Sequence, residues 1–118
     1  MLAPRMEAST DITAQRAAEL LAQGVTLVDV REDYERAAGH IAGTRHIGLA
    51  ALSAAAAAGE IDAAAPVVFY CRVGGRSKMA TDAFRASGYE AYNLAGGLLA
   101  WVDAGLPLVP EGGHVADH

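Results

Sequence analysis

The sequence predicts an α/β domain built on a mainly parallel sheet, and three observations carry that expectation. Short, almost wholly apolar runs rich in β-branched residues recur at Val25–Val30 and Pro66–Cys71, the pattern of strands covered on both faces. Amphipathic helical stretches alternate with them, and alternating strands and helices pack as a parallel sheet. The chain has 118 residues, room for one domain and no second.

Taken in order, Thr13–Ala22 reads as a helix, with Ala14, Ala17, Ala18 and Leu21 at helical spacing and Thr13 or Asp11 as its cap. Gly24 ends it. The strand Val25–Val30 follows, then a short helix over Asp33–Ala38 that stops at Gly39. Arg45–Gly48 is a short strand, and Leu49, Leu52, Ser53 and Ala56 give a weak helical stripe closed by Gly59. Pro66–Cys71 is the clearest strand. After the loop Arg72–Arg76 a helix runs from Ser77 to Gly88, with Met79, Ala80, Ala83 and Phe84 on one side. Tyr89–Leu94 is a strand broken by Gly96 and Gly97, and Leu98, Trp101 and Val102 mark a last helix ended by Gly105 and Pro107. One domain over 1–109 and a flexible tail over 110–118 are expected.

Composition narrows the function. Hydrophobic residues are 53% of the chain and charged residues 19%, which excludes wholesale disorder. Nine basic against 14 acidic residues give a net charge of −5, a poor balance for general nucleic-acid binding. Arg72, Arg76 and Lys78 form the local exception. The longest bland run, Leu49–Gly59, is too short to span a bilayer. Met1–Asp11 carries charges and no apolar core, so no secretory leader is expected and a cytoplasmic location is. His114 and His118 are four apart, but their Gly-rich surroundings favour a solvated terminus over a chelate.

Cys71 is the single cysteine. That forbids an intramolecular disulfide or a cysteine metal cluster, and leaves an inert core residue or a reactive thiol. Its surroundings favour the second. Cys71-Arg72-Val73-Gly74-Gly75-Arg76-Ser77 joins a buried strand to a helix N-terminus, where backbone N–H groups can turn inward on an anion. Gly74 and Gly75 let the backbone curl. Arg72 and Arg76 add positive charge, and such a setting depresses a thiol pKa.

The chain resembles the single-domain rhodaneses, a sulfurtransferase family. The matching stretches are Val28-Asp29-Val30-Arg31-Glu32, Gly39-His40-Ile41-Ala42-Gly43 continuing through His46-Ile47, the Cys71–Arg76 loop, and Asn93-Leu94-Ala95-Gly96-Gly97 with Trp101. His46 and Ala42 depart from the usual Asn and Pro. The resemblance implies a five-stranded parallel sheet with helices on both faces. It also implies that Cys71 thiolate takes the outer sulfur of thiosulfate or a similar small anionic donor, and passes it from a persulfide to cyanide or a thiol. N–H groups from Arg72 to Ser77, including Val73, Gly74 and Gly75, would hold the bound anion. Arg72 and Arg76 would bind the donor's charge, Arg76 the better placed. No metal and no organic cofactor is implied.

Arg31 either adds charge to that pocket or only pairs with a nearby carboxylate and stiffens the strand end, and Asp29 is expected as a supporting residue. Glu35 and His40 are expected to give supporting hydrogen bonds, and Tyr70, Tyr92 and Trp101 to lie in the core. Two rival functions use the same loop. A phosphatase or arsenate reductase would separate Cys from Arg by five residues, where this chain has four. A persulfide carrier or regulatory module would serve a partner, such as a thioredoxin-like or sulfur-accepting protein. No nucleic-acid or membrane partner is expected.

Overall fold

The computed structural model describes residues 5–118; Met1 to Pro4, part of the stretch read as lacking a leader, lie outside the described residues. The chain runs β1 (Asp11–Ile12), α1 (Ala14–Ala22), β2 (Thr26–Asp29), α2 (Asp33–Ala38), β3 (Arg45–His46), a 3-10 turn (Leu49–Ala51), α3 (Leu52–Ala57), β4 (Val67–Tyr70), α4 (Gly75–Ala86), β5 (Ala91–Leu94) and α5 (Gly97–Asp103). All pairings are parallel, in the order β1-β5-β4-β2-β3. The predicted five-stranded α/β architecture is therefore present.

The order reverses between β2 and β4: β2 leads outward to β3, and β4 leads the other way to β5. The crevice at such a reversal, beyond the carboxyl ends of the strands, is where open α/β sheets bind ligands. Cys71 follows β4 and Arg31 follows β2, so both flank it.

Strand alternation divides the core in two. Val68, Tyr70, Leu27, Tyr92 and Leu94 face α1 and α5, packing with Leu20, Leu98 and Trp101. Val67, Phe69, Cys71, Val28 and Val30 face α3 and α4, packing with Leu52, Ala80 and Phe84. Because side chains alternate, Cys71 and Tyr70 point to opposite faces. Tyr70, Tyr92 and Trp101 are core residues, as expected.

Three elements depart from the sequence reading. The strand β1 is only two residues at the sheet edge, too short to leave a period. α4 begins at Gly75, two residues early, because Gly74 (φ 103°) turns the chain and its carbonyl accepts the Lys78 N–H at 3.1 Å. Its buried face is Ser77, Ala80, Thr81 and Phe84, while Met79 is 65% exposed and Ala83 exposed. An apolar-only stripe misplaces that face, because two of its four residues are hydroxyls with internal partners.

The third departure is the tail. The His114 N–H donates to Ala38 O at 2.9 Å, Val115 packs on the α1/α5 core, and Tyr34 donates its hydroxyl to Asp117 O at 3.2 Å. A Cβ on Gly39 would fall 2.5 Å from His114 O. The segment expected to be free is laid along α2. Among the described residues no helix is long and apolar enough to cross a membrane.

Candidate active site

Cys71 sits at the carboxyl end of the central strand, with no solvent-exposed surface. The chain then turns back over its sulfur. The Gly74 N–H donates to Sγ at 3.1 Å, and the Ser77 hydroxyl lies 3.4 Å from Sγ. Burial alone pushes the thiol pKa up. Hydrogen bonds from the Ser77 hydroxyl and from the N–H groups of Ser77, Gly74 and Val73 outweigh it, and the thiol is held below its ordinary value.

The loop is fixed from two sides. On one, α5 begins directly against it: Leu98 N–H donates to Cys71 O at 2.8 Å and Leu99 N–H to Arg72 O at 3.1 Å. Gly97 makes this approach possible, since a Cβ there would lie 2.6 Å from Cys71 O. On the other side, Arg76 makes a two-pronged bridge to Glu35 at 2.8 and 2.9 Å. Glu35 is fully buried and also accepts the Glu32 N–H at 3.1 Å. Burial pushes its carboxyl up, but Arg76 and the Glu32 N–H hold it below the usual carboxylate range.

Beside the loop lies a second buried charge cluster. Arg31 and Asp29 are both fully buried and paired through two hydrogen bonds, at 2.9 and 2.8 Å. Arg31 also donates to Gly39 O at 2.8 Å. Arg36 approaches Asp29 at 3.5 Å and donates to Thr44 Oγ1 and Thr44 O at 2.9 and 2.7 Å. The Tyr70 hydroxyl, 2.9 Å from Thr44 Oγ1, closes the network. Burial and the nearby Asp29 push its pKa up to about 12.

Residues 13–104 match the rhodanese-like domain family. The chain is 35% identical over 91 residues to the thiosulfate sulfurtransferase GlpE of Pseudomonas aeruginosa strain LESB58, covering 76% of this chain and 81% of that one. It is 36% identical over 108 residues to a sulfurtransferase of Allochromatium vinosum, covering 90% and 97%. This chain belongs to the rhodanese-like family. The crystal structure of a rhodanese-related protein from Thermoplasma volcanium superimposes with a TM-score of 0.78 at 26% identity, over 86% of this chain and 98% of that one.

Within this rhodanese-like domain the structure brings Cys71, Val73, Gly74 and Ser77 together around one sulfur. Other expected residues fall elsewhere. Arg76, expected on the donor, makes a two-pronged ion pair with Glu35, and its charge acts on Cys71. Arg31 takes the pairing alternative: its partner Asp29 is equally buried, and no part of Arg31 reaches the surface. Gly75 has ordinary helical backbone and open space at its Cβ position, so only Gly74 needs glycine's freedom. His40 bridges Val109 through its backbone, and its ring Nδ1 lies 3.0 Å from Arg36 O, which places it in the α2 scaffold. His46 Nε2 lies 2.8 Å from Arg31 O. His114 and His118 sit on irregular backbone without helical stacking.

Sequence reasoning missed Asn93, Gly97 and Arg36. Asn93 Oδ1 lies 2.6 Å from the Ser77 hydroxyl, whose one proton it shares with the Cys71 sulfur at 3.4 Å, and its Nδ2 donates to Asp11 Oδ1 at 3.1 Å, so it fixes the hydroxyl oxygen beside the sulfur. Asn93 was available as a signal, being a polar residue within an otherwise apolar strand. Gly97 read only as a strand breaker.

Proposed function

We propose that this domain transfers a sulfane sulfur, from thiosulfate or a similar small anion to a thiol or cyanide, through a persulfide on Cys71. The observation that carries this reading is a lone thiol whose negative charge is favoured by aimed N–H groups and a hydroxyl, with the Arg76 charge nearby. Such donors favour the thiolate, the form that attacks.

In the first half-reaction the Cys71 thiolate attacks the outer sulfur of the donor. The new S–S bond forms as the bond between the donor's two sulfurs breaks, and that electron pair leaves with sulfite. Cys71 then carries a terminal sulfur anion, for which the N–H groups of Val73, Gly74 and Ser77 are the nearest donors. In the second half-reaction the acceptor attacks this terminal sulfur, and the Cys71 thiolate is regenerated. Thiocyanate leaves if the acceptor is cyanide, and a persulfide if it is a thiol. Cys71 is covered at rest, and Val73, 54% exposed, is where the loop meets solvent. Arg76, paired with Glu35 and near enough for its charge to act on Cys71, is the loop cation best placed to meet the donor's charge. A single reactive thiol suits a reducing compartment such as the cytoplasm.

Intact-mass measurement after incubation with thiosulfate tests the reading directly. One added sulfur, removed again by cyanide, is expected. An unchanged mass under conditions where the thiol is free and reduced contradicts it.

A further inference from the structure

Ser77 has one hydroxyl proton and two acceptors within reach. Asn93 Oδ1 lies 2.6 Å from Ser77 Oγ, and Cys71 Sγ lies 3.4 Å from it. The Asn93 amide cannot be turned round, because its Nδ2 donates at 3.1 Å to Asp11 Oδ1, a carboxylate oxygen that only accepts. Oδ1 therefore faces Ser77, and two oxygens so close require a proton between them. Ser77 and Asn93 are both buried, which shields the pair from bulk water.

What the hydroxyl does then depends on the charge of the sulfur. While Cys71 is a thiol, the Ser77 proton serves Asn93, and the S–H can donate to Ser77 Oγ. When Cys71 ionises, Sγ has no proton to give and the hydroxyl must turn to it. That leaves the buried Asn93 carbonyl without its donor, which costs free energy. The thiolate receives the hydroxyl only at the expense of Asn93.

We propose that Asn93 is a positioning residue that competes with the Cys71 sulfur for the single Ser77 proton. It fixes the hydroxyl oxygen beside Sγ and withholds part of its donation, so the thiol is less acidic than the loop alone would make it. When the inner sulfur loses its charge in the persulfide, the proton returns to Asn93. This rests on the reading of Cys71 as the nucleophile, but its test does not require sulfur transfer. The charged groups facing this array are Asp11, on which Lys78 acts, and Arg76, which Glu35 holds and whose charge acts on Cys71. The variants below alter none of them.

The experiment is the pH profile of Cys71 alkylation by iodoacetamide in the full chain. Asn93→Leu keeps the side-chain volume and removes the acceptor. It is expected to raise the thiolate-to-thiol ratio at a fixed pH by roughly two- to tenfold, the worth of one hydrogen bond, and so to move the inflection down. In a Ser77→Ala background the same replacement should move nothing, since no proton is left to share. An unmoved or raised inflection in Asn93→Leu overturns the proposal, and so does a fall that persists in Ser77→Ala. A second measurement uses the unaltered protein, should Asn93→Leu fail to fold. The NMR shift of the Asn93 side-chain carbonyl carbon should follow the Cys71 inflection, and should cease to do so in Ser77→Ala. A resonance that stays flat across that inflection overturns the proposal. A failed persulfide assay would remove the sulfur-transfer reading while leaving both readouts measurable.

Discussion

Two neighbouring strand ends handle buried charge in opposite ways. After β2, Asp29 and Arg31 neutralise each other at zero exposure, with Arg36 close by. After β4, the sulfur of Cys71 is equally buried, yet its donors are a hydroxyl and backbone N–H groups. The first arrangement costs desolvation on both partners and recovers it only while both are present, so it is rigid and chemically silent. The second favours one charge by fixed dipoles. The Glu35–Arg76 clamp belongs with the first type although it touches the second: its charge holds the loop's shape, and the main chain addresses the sulfur.

The contrast can be broken from either side. The largest effect is on chemistry: Cys71→Ala should reduce sulfur transfer below detection while thermal unfolding remains cooperative. Retained transfer would place the nucleophile elsewhere. Next comes Asp29→Ala, which leaves the Arg31 charge buried and unpaired. It should cost about 3–5 kcal/mol in urea unfolding, and a loss below 1 kcal/mol would mean Arg31 finds water. Arg76→Ala strands Glu35 in the same way, less severely because the site is partly open, at roughly 2 kcal/mol. This pair also has a pH signature. The folded Glu35 carboxyl lies below its ordinary value, so its contribution is present above the unfolded value of about 4.3. It is lost as pH falls through the folded value, and urea unfolding between neutral pH and pH 3 reads that loss. The smallest effect is at Gly75, where helical backbone and open space predict that Gly75→Ala stabilises by about 0.4–1 kcal/mol. Gly74, at φ 103°, should not tolerate the same change.

The sequence made the architecture legible because its strands are contiguous apolar runs and its breaks are glycines at element ends. Asp33–Ala38 emerged with its expected bounds. Cys71 could be chosen over an inert cysteine because the loop's composition is local, read from consecutive residues. What stayed hidden depends on contacts between distant positions. That Arg76 pairs with Glu35 is a contact across 41 residues, which the loop's own composition does not announce. Ser77 and Thr81 look solvent-facing by type, yet both are buried because Asn93 and Tyr92 supply partners from β5. The tail lacks any period, but a run of backbone hydrogen bonds and one missing Cβ at Gly39 suffice to dock it.

The central claim is that main-chain amides, with a share from the Ser77 hydroxyl, lower the Cys71 thiol pKa. Because Cys71 is the single thiol, the pH dependence of iodoacetamide alkylation of the intact protein reports on it alone. The account predicts an inflection below the ordinary thiol value of about 8.5, moving upward in Ser77→Ala. An inflection at or above that value in the unaltered protein would contradict it.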